Sequence, residues 1–495
     1  MIAKPDSGKQ RLAQAASICL CIYIILCDVL VYMLPHDSRA EFLAVQQLVC
    51  FSLLGLILAS APKMSRRTGI LFLAGYWVWL IIARAADHVL AESLPYEIFR
   101  ASAMCCVFYL TCTLEEGGRE RLMTWFCGLV FPIFAIWSVL GVLVSANVIP
   151  PVPIGDEFIH INLEPQNTGV LRYLRFFDRH RNCTAAWFMT ALWISVAQIV
   201  RTRRKWLQAL LAVFSGMMYV TISLQHCRSV YVSVSVGAGI LIWILLKNRL
   251  RIPQRSAKVL CVGTVALLTM LATYKGFALC NLAVNSITRP AESTMTIVQT
   301  PEEQGEVAQE AAETHQQPER SEEASLGEII QPEAPTHVEI REEPETGMSD
   351  DRNFFRDLLT LTMRTEIWGA SLRTTFARKK FVVLGQQTVK IMENLRYYGG
   401  LNRDVWQAHN MLLQMLTIGG VFGFTLMMGF LYLQLRSAIR VFLSRDASLE
   451  KKIYVIALAC LMIYGIMEAM FDFPFTSLCF MLLAGMLAEG RKETV

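Results

Sequence analysis

Apolar stretches, most of them about 17 to 25 residues long, follow one another along almost the whole chain. A helix of that length crosses roughly 30 Å of lipid hydrocarbon, and it satisfies its backbone hydrogen-bonding groups internally. Of the 495 residues, 54% are hydrophobic and 18% are charged, against roughly a quarter charged in a water-soluble protein. The pattern predicts an all-α polytopic membrane protein. It excludes a soluble enzyme, a nucleic-acid-binding module and a disulfide-stapled secreted domain.

Twelve transmembrane helices are predicted from these stretches. They cover residues 14–35, 42–61, 68–84, 98–113, 122–147, 183–200, 206–224, 229–246, 257–275, 411–435, 453–470 and 474–489. The first has no small-residue cleavage site after it, so we interpret it as an uncleaved helix. Placing the amino terminus in the cytoplasm gives every inner turn Lys or Arg, in agreement with the positive-inside bias. Both termini are therefore predicted to be cytoplasmic.

Two predicted outer segments are too long to be simple connections. The predicted boundaries are 1–148 for an N-terminal transmembrane bundle, 149–182 for an outer loop, 183–275 for central transmembrane helices, 276–410 for a large extracytoplasmic loop and 411–495 for C-terminal transmembrane helices. Within the large loop, residues 290–350 hold 16 acidic and 2 basic residues, which predicts a disordered acidic insertion. Beyond it, from about Asp351, the spacing of apolar residues predicts an amphipathic helix against the outer membrane face or over a pocket.

The net charge of +5 averages this acidic segment with a basic remainder. In a membrane protein such a basic surplus marks cytoplasmic loops, so we infer no nucleic-acid partner. The 14 cysteines have no metal-finger spacing, but Cys183, Cys227 and Cys280 fall near one predicted membrane face, which leaves a disulfide among them open. Nucleotide-binding, zinc-hydrolase, serine-hydrolase and dinucleotide motifs are absent from the sequence. We therefore expect no metal and no cofactor, and the energy for any reaction must arrive with the substrate.

Polar residues at the predicted outer face are the candidates for chemistry. Arg228 lies in the tight turn between the seventh and eighth spans. It is either an arginine that snorkels to the interface or a clamp for an anion such as phosphate. Arg364 and Arg373 lie in the amphipathic segment, with Trp368 one turn after Arg364, and a solvated helix face is the alternative interpretation there.

The end of the first outer loop is unusually cationic. It contains Arg172, Arg175, Arg179, His180, Arg181 and Asn182. The positive-inside bias disfavours such a cluster on this side of the membrane. We expect an anionic ligand or a lipid headgroup there, and plain lipid anchoring is the alternative.

His409 and Asn410 immediately precede the tenth span. A neutral histidine accepts a proton near pH 7, which makes His409 the candidate general base. A helix cap or an interface residue is the alternative role. Glu468 and Asp472 fall at the outer end of the last two spans, where buried carboxylates need partners, and the arginines above are the expected ones.

Three short motifs, in order, resemble those of bacterial O-antigen ligases and related polymerases. They are Thr221-Ile222-Ser223 followed by Arg228-Ser229, Arg364-Thr365-Glu366-Ile367-Trp368, and Ala408-His409-Asn410-Met411-Leu412 followed by Gly419-Gly420-Val421-Phe422-Gly423. Arg181-Asn182 is similar to a further arginine and asparagine position of the family. The resemblance covers roughly residues 180–435. The chain departs from the family pattern in the Gln225-His226-Cys227 sequence before the arginine and in its acidic insertion.

The resemblance implies a glycosyltransferase of the bacterial inner membrane that needs no metal. It would move a glycan from undecaprenyl pyrophosphate to an acceptor hydroxyl of a glycolipid or glycan, at the extracytoplasmic face and with inversion. Its partners would be that lipid-linked glycan, the acceptor and the surrounding membrane lipids. Arg228 and Arg364 would stabilise the pyrophosphate, and His409 would deprotonate the acceptor. The binding residues for pyrophosphate or acceptor would be Arg179, Arg181, Asn182, Trp368 and Asn410.

Two other functions compete with this one. A polysaccharide polymerase of the same superfamily shares the donor and the chemistry, and differs only in its acceptor. A flippase or transporter is less favoured, because transporters tend to have internal repeats and polar groups near mid-membrane. Here no repeat is visible, and the polar groups gather at one predicted face.

Overall fold

The fold is known from a computed structural model. It describes residues 8, 12, 15, 69–86, 104–112, 114, 116–146, 148–150, 152–153, 160–165, 172–176, 181–249, 255–288, 364–386, 390–401, 405 and 407–488. Most of the first predicted span, all of the second, the acidic segment 290–350 and the predicted amphipathic residues up to 363 lie outside these ranges.

Helices make up most of the described chain. In order they are α1 (Ile70–Ala86), α2 (104–112), α3 (Glu116–Ser145), α4 (Arg181–Arg201), α5 (Lys205–Leu224), α6 (Arg228–Arg249), α7 (Arg255–Thr288), α8 (Arg364–Ala377), α9 (Lys379–Leu384), α10 (Ile391–Tyr397), α11 (Met411–Leu443), α12 (Leu449–Met467) and α13 (Pro474–Leu487). Helices α1–α7 and α11–α13 overlap predicted spans. Helix α7 continues to Thr288, so the predicted boundary of the large loop at residue 276 is wrong, and α11 continues past the predicted end at 435. Among the described residues, α3–α7 and α11 are long and apolar enough to cross a membrane. The membrane class is supported, and the total of twelve spans remains a prediction.

Helix α12 packs along α4 and α6. The Cys460 thiol donates to the Ser233 carbonyl of α6 at 3.1 Å. A Cβ atom on Gly237 of α6 would lie only 2.7 Å from Cys460 Sγ, so the missing side chain lets the two helices approach closely. Because short turns join α4 to α5 and α5 to α6, helices α4 and α6 run parallel to each other. Gln198, near the end of α4, donates to Tyr454 Oη, near the start of α12, at 2.8 Å, so α12 runs antiparallel to both. The end of α12 and the starts of α4 and α6 therefore lie at the same end of the bundle.

A small antiparallel sheet lies within residues 149–182, the predicted outer loop, and the sequence pattern did not indicate it. Its strands are β1 (Val152–Pro153), β2 (His160–Pro165) and β3 (Arg172–Phe176). Ile161, Leu174 and Phe176 are fully buried, and the Phe176 ring lies 5.1 Å from that of Phe188 in α4. Apolar residues alternate with polar ones in β2 and β3, which is the pattern of a half-buried strand. Arg172 and Arg175 therefore belong to a strand, at positions paired with Pro165 and Asn162.

The other end of the bundle is basic and is held by ion pairs and helix caps. Arg201 at the end of α4 lies 3.2 Å from Glu120. Arg119 donates to the carbonyl oxygens of Cys112, Leu114 and Ala488 at 2.9, 3.0 and 2.8 Å, and to a fourth, on Met486, at 3.3 Å. The last carbonyls of a helix have no partner within the helix, so one guanidinium here caps both α2 and α13.

Replacing Arg119 by methionine is expected to destabilise the protein by about 2–4 kcal/mol, because hydrogen bonds from a charged group contribute more than neutral ones. Thermal unfolding in detergent measures this change. The matched control is Arg121→Met, since Arg121 is exposed and its bond to Gly117 lies on the surface. Equal melting temperatures for the two variants would contradict the capping role.

Helix α11 is kinked at Gly420, whose backbone has a φ of 62°. The residues after α9 dock against this kink: Gln386 N–H donates to the Thr417 carbonyl at 2.7 Å, and Gly385 has a φ of 75°. Trp79 Nε1 of α1 donates to the Gly419 carbonyl at 2.8 Å. Carbonyl groups that the kink releases from the helix thus find other partners.

Candidate functional site

Glu468 follows α12 in extended backbone, and its carboxylate is fully buried. Its Oε1 accepts hydrogen bonds from Arg364 Nη2 and from Asn182 Nδ2, each at 2.6 Å. Its Oε2 lies 2.9 Å from His409 Nδ1. A carboxylate removed from water needs opposite charge and hydrogen-bond donors, and here three different segments supply them. Four polar residues that the sequence analysis selected thus meet at one point, and the expected pairing of Glu468 with an arginine is confirmed.

The donors come from three different helices or the residues beside them. Asn182 lies in α4, Arg364 lies in α8, and His409 lies two residues before α11. One guanidinium, one amide and one imidazole therefore converge on a single buried carboxylate.

The position of His409 depends on its neighbour Asn410. Asn410 Oδ1 accepts from the N–H groups of Leu412 and Leu413 at 2.9 and 3.1 Å, which caps α11. Asn410 Nδ2 donates to the Ile466 carbonyl at 2.8 Å and so ties the start of α11 to the end of α12. The amide of Asn410, predicted to bind substrate, thus holds the two helices together.

The backbone of His409 is left-handed, with a φ of 45°. Among the described residues other than glycine, only His226 shares a positive φ, at 51°. Such backbone is sparsely populated and occurs often at functional sites, where the surroundings maintain it. The indole Nε1 of Trp368 points to the His409 carbonyl at 3.4 Å. Trp368 therefore contacts the backbone of the candidate base.

The contact between His409 and Glu468 defines the chemistry of the imidazole. Because a carboxylate accepts, the nitrogen that faces it, Nδ1, carries a proton, and Nε2 is then the nitrogen that can accept one. A buried carboxylate that orients a histidine in this way is the arrangement used in general-base catalysis. The side chains of His409 and Arg364 are each 22% exposed, so a bound molecule can reach them.

Arg228 is the first residue of α6, and the turn before it is firmly held. Gln225 Nε2 donates to Thr184 Oγ1 of α4 at 2.7 Å, and Asn281 Nδ2 of α7 donates to the Ser223 carbonyl at 2.9 Å. Arg228 is half-buried. Since α6 runs antiparallel to α12, Arg228 lies at the same end of the bundle as Glu468.

The other predicted residues have different places. Arg181 begins α4, but its side chain lies outside the described part of the structure, as do Arg179 and His180 entirely. Arg373 donates twice to the Gly399 carbonyl, at 3.1 and 2.6 Å, and so joins α8 to the turn after α10. No disulfide joins Cys183, Cys227 and Cys280, the three cysteines that the sequence left open for one.

Two further buried polar residues of this region were not predicted from the sequence. Tyr464 is fully buried in α12 and donates from its hydroxyl to the Asn182 carbonyl at 3.0 Å. Gln414 of α11 is 4% exposed, and its amide bonds to Ala408 and Asp472. Each lies in an apolar helix that also holds other polar residues, and only its position near the predicted outer end distinguishes it from them.

The donor set of the site is cationic and amide-rich. Over the ranges that the structure describes, no three side chains of histidine, cysteine, aspartate and glutamate come together as a metal site would require.

Comparison of the chain with models of protein families, with curated proteins and with solved structures finds no match in any of the three.

Proposed function

We propose that the chain is an O-antigen ligase-like membrane glycosyltransferase, which passes a glycan from undecaprenyl pyrophosphate to an acceptor hydroxyl. The observation that carries this proposal is the buried Glu468 carboxylate in contact with both His409 and Arg364. It supplies an oriented base and a fixed guanidinium within one site. The acceptor would be a glycolipid or glycan at the extracytoplasmic face of the bacterial inner membrane.

The leaving group needs positive charge around it. As the bond between the anomeric carbon and the pyrophosphate oxygen breaks, negative charge grows on the pyrophosphate. Fixed guanidinium groups stabilise such charge most strongly where water is excluded. Arg364 uses Nη2 for Glu468, and within the described residues its remaining nitrogens have no hydrogen-bond partner, which suits them to a phosphate oxygen. Arg228 and the amino-terminal end of α6, where it lies, would add to the positive potential.

The acceptor hydroxyl needs a base that removes its proton as it attacks. Its hydroxyl oxygen forms the new bond to the anomeric carbon and loses its proton to His409 Nε2. Glu468 stabilises the imidazolium that results, in the way that a buried carboxylate does for a catalytic histidine. A direct attack of this kind inverts the anomeric centre and passes through no covalent intermediate with the protein.

The proposal is tested by the pool of undecaprenyl-pyrophosphate-linked glycan in cells with and without the protein. If the protein is the transferase, cells without it accumulate intact donor at the outer face, where an added glycosidase can cleave the glycan. Donor that accumulates at the cytoplasmic face would instead identify a flippase. An unchanged pool and an unchanged surface glycan would contradict both functions.

Replacing Arg228 or Arg364 by lysine is expected to lower transfer by about 10- to 100-fold, because a point charge cannot reproduce the planar fork of arginine on two phosphate oxygens. Transfer in membrane vesicles, at equal protein abundance, measures the change. Arg373→Lys is the matched control. Arg373 lies in α8, the same helix as Arg364, but its guanidinium bonds to the backbone carbonyl of Gly399. Full transfer by either of the first two variants would exclude that arginine as a pyrophosphate clamp.

One observation favours a transporter as the second candidate. The kink at Gly420 interrupts α11, and α9 with the two residues after it docks against the break. Transporters build their substrate sites from such interrupted helices. The site around Glu468 is nevertheless at one end of the bundle, about 27 Å along α12 from its basic end, whereas transporter sites lie near the midplane. The donor-pool experiment separates the two functions.

A further inference from the structure

The amide of Gln414 is bonded at both of its ends. Its Oε1 accepts from the Ala408 N–H at 2.8 Å, and its Nε2 donates to Asp472 Oδ2 at 2.7 Å. Gln414 is 4% exposed and Ala408 is 1% exposed, so the bond between them is shielded from water, whereas Asp472 is only partly buried. Losing one partner of a buried hydrogen bond leaves the other unsatisfied, at a cost that exceeds the strength of the bond itself.

The two bonds join the segments that carry the proposed base and its carboxylate. Ala408 directly precedes His409. Asp472 ends the short helical turn Met470–Asp472, in which the Met470 N–H donates to the Glu468 carbonyl at 2.9 Å. One side chain in α11 therefore fixes the backbone on both sides of the contact between His409 and Glu468.

The backbone of His409 needs such support. Left-handed backbone at a residue with a Cβ atom costs of order 1–3 kcal/mol and persists only where several contacts maintain it. Asn410, the residue after His409, is held by its bond to the Ile466 carbonyl. Ala408, the residue before His409, is held by its bond to Gln414. Without Gln414, the Ala408 N–H would be free to turn and the imidazole would move with it.

We propose that Gln414, acting with Asp472, is a positioning residue that holds His409 against Glu468. Its catalytic meaning rests on the proposed function. A displacement of about 1 Å in a base lowers a reaction rate by up to roughly 100-fold, so the effect of losing Gln414 falls on kcat. The KM values for donor and acceptor depend on other contacts and stay close to those of the wild type.

The hydrogen-bond directions provide a rescue experiment. Gln414→Met removes both bonds at nearly constant volume. Gln414→Glu keeps the acceptor for Ala408 but sets one carboxylate against another. Adding Asp472→Asn to Gln414→Glu restores a donor, since the new amide can donate to the new carboxylate. Asp472→Asn alone can still accept from Gln414 through its amide oxygen, so kcat is expected to fall less than in Gln414→Glu.

We expect kcat to fall about 10- to 100-fold in Gln414→Met and Gln414→Glu, and to recover in the double variant. Gln434→Met is the matched control, because Gln434 is also 4% exposed in α11 but lies toward the opposite end of that helix. Unchanged kcat in Gln414→Met, or no recovery in the double variant, overturns the proposal.

A second measurement requires no transfer activity. Diethyl pyrocarbonate modifies histidine, and mass spectrometry of the His409 peptide gives the rate of modification. We expect this rate to rise several-fold in Gln414→Met and Gln414→Glu, and to return to the wild-type rate in the double variant. If wild-type protein shows no transfer but the modification rates follow this pattern, the proposed function fails and the positioning role stands. Equal modification rates in all variants overturn the positioning role, whatever the activity.

Discussion

His409→Ala, at wild-type abundance in the membrane, is expected to lose transfer by about 10²- to 10⁴-fold, the usual contribution of a general base. The reason lies in the contact between His409 Nδ1 and the buried Glu468 carboxylate, which leaves Nε2 as the proton acceptor. Donor should accumulate in cells that carry the variant, as it does in cells without the protein. Transfer in vesicles measures the rate itself.

The control is His337→Ala, in the acidic segment and outside the three motifs quoted above, and it should match the wild type in transfer and in donor pool. Unimpaired transfer by His409→Ala would contradict the base assignment.

The positions of the helices were predictable because apolar length alone encodes a membrane span. The predicted span 206–224 and helix α5 (Lys205–Leu224) agree to within one residue. The small sheet was missed because β2 and β3 are only 6 and 5 residues long and lie in a polar loop. The kink in α11 was missed because two adjacent glycines within an apolar span do not by themselves indicate left-handed backbone.

The composition of the site was more predictable than its geometry. Asn182 and His409 were selected because they directly precede predicted spans at the outer face, and Arg364 because it lies in the predicted amphipathic segment. Their meeting at Glu468 joins positions 286, 104 and 59 residues apart in the chain, and no local pattern carries such distances. Gln414 was missed for the same reason, since its two partners belong to different segments.

Glu468→Gln is expected to leave the protein folded and to lower transfer by about 10²- to 10⁴-fold. The new amide keeps one oxygen, which can still accept from Arg364 and Asn182. Its NH₂ group then faces His409 Nδ1, which must become an acceptor. The imidazole proton moves to Nε2, so the nitrogen that should take the acceptor's proton already carries one.

The alternative cause of such a loss is a general weakening of the fold, and stability measurements separate the two. Removing the carboxylate charge leaves Arg364 without its counter-ion, so some loss of melting temperature is expected. Glu120→Gln removes a carboxylate from the ion pair with Arg201, where Glu120 is 49% exposed, and should change neither transfer nor stability much. If tautomer reversal is the cause, Glu468→Gln and His409→Ala should be equally inactive, and combining them should lower transfer no further, because both remove the same base. An additive loss in the double variant would show that Glu468 acts mainly through Arg364.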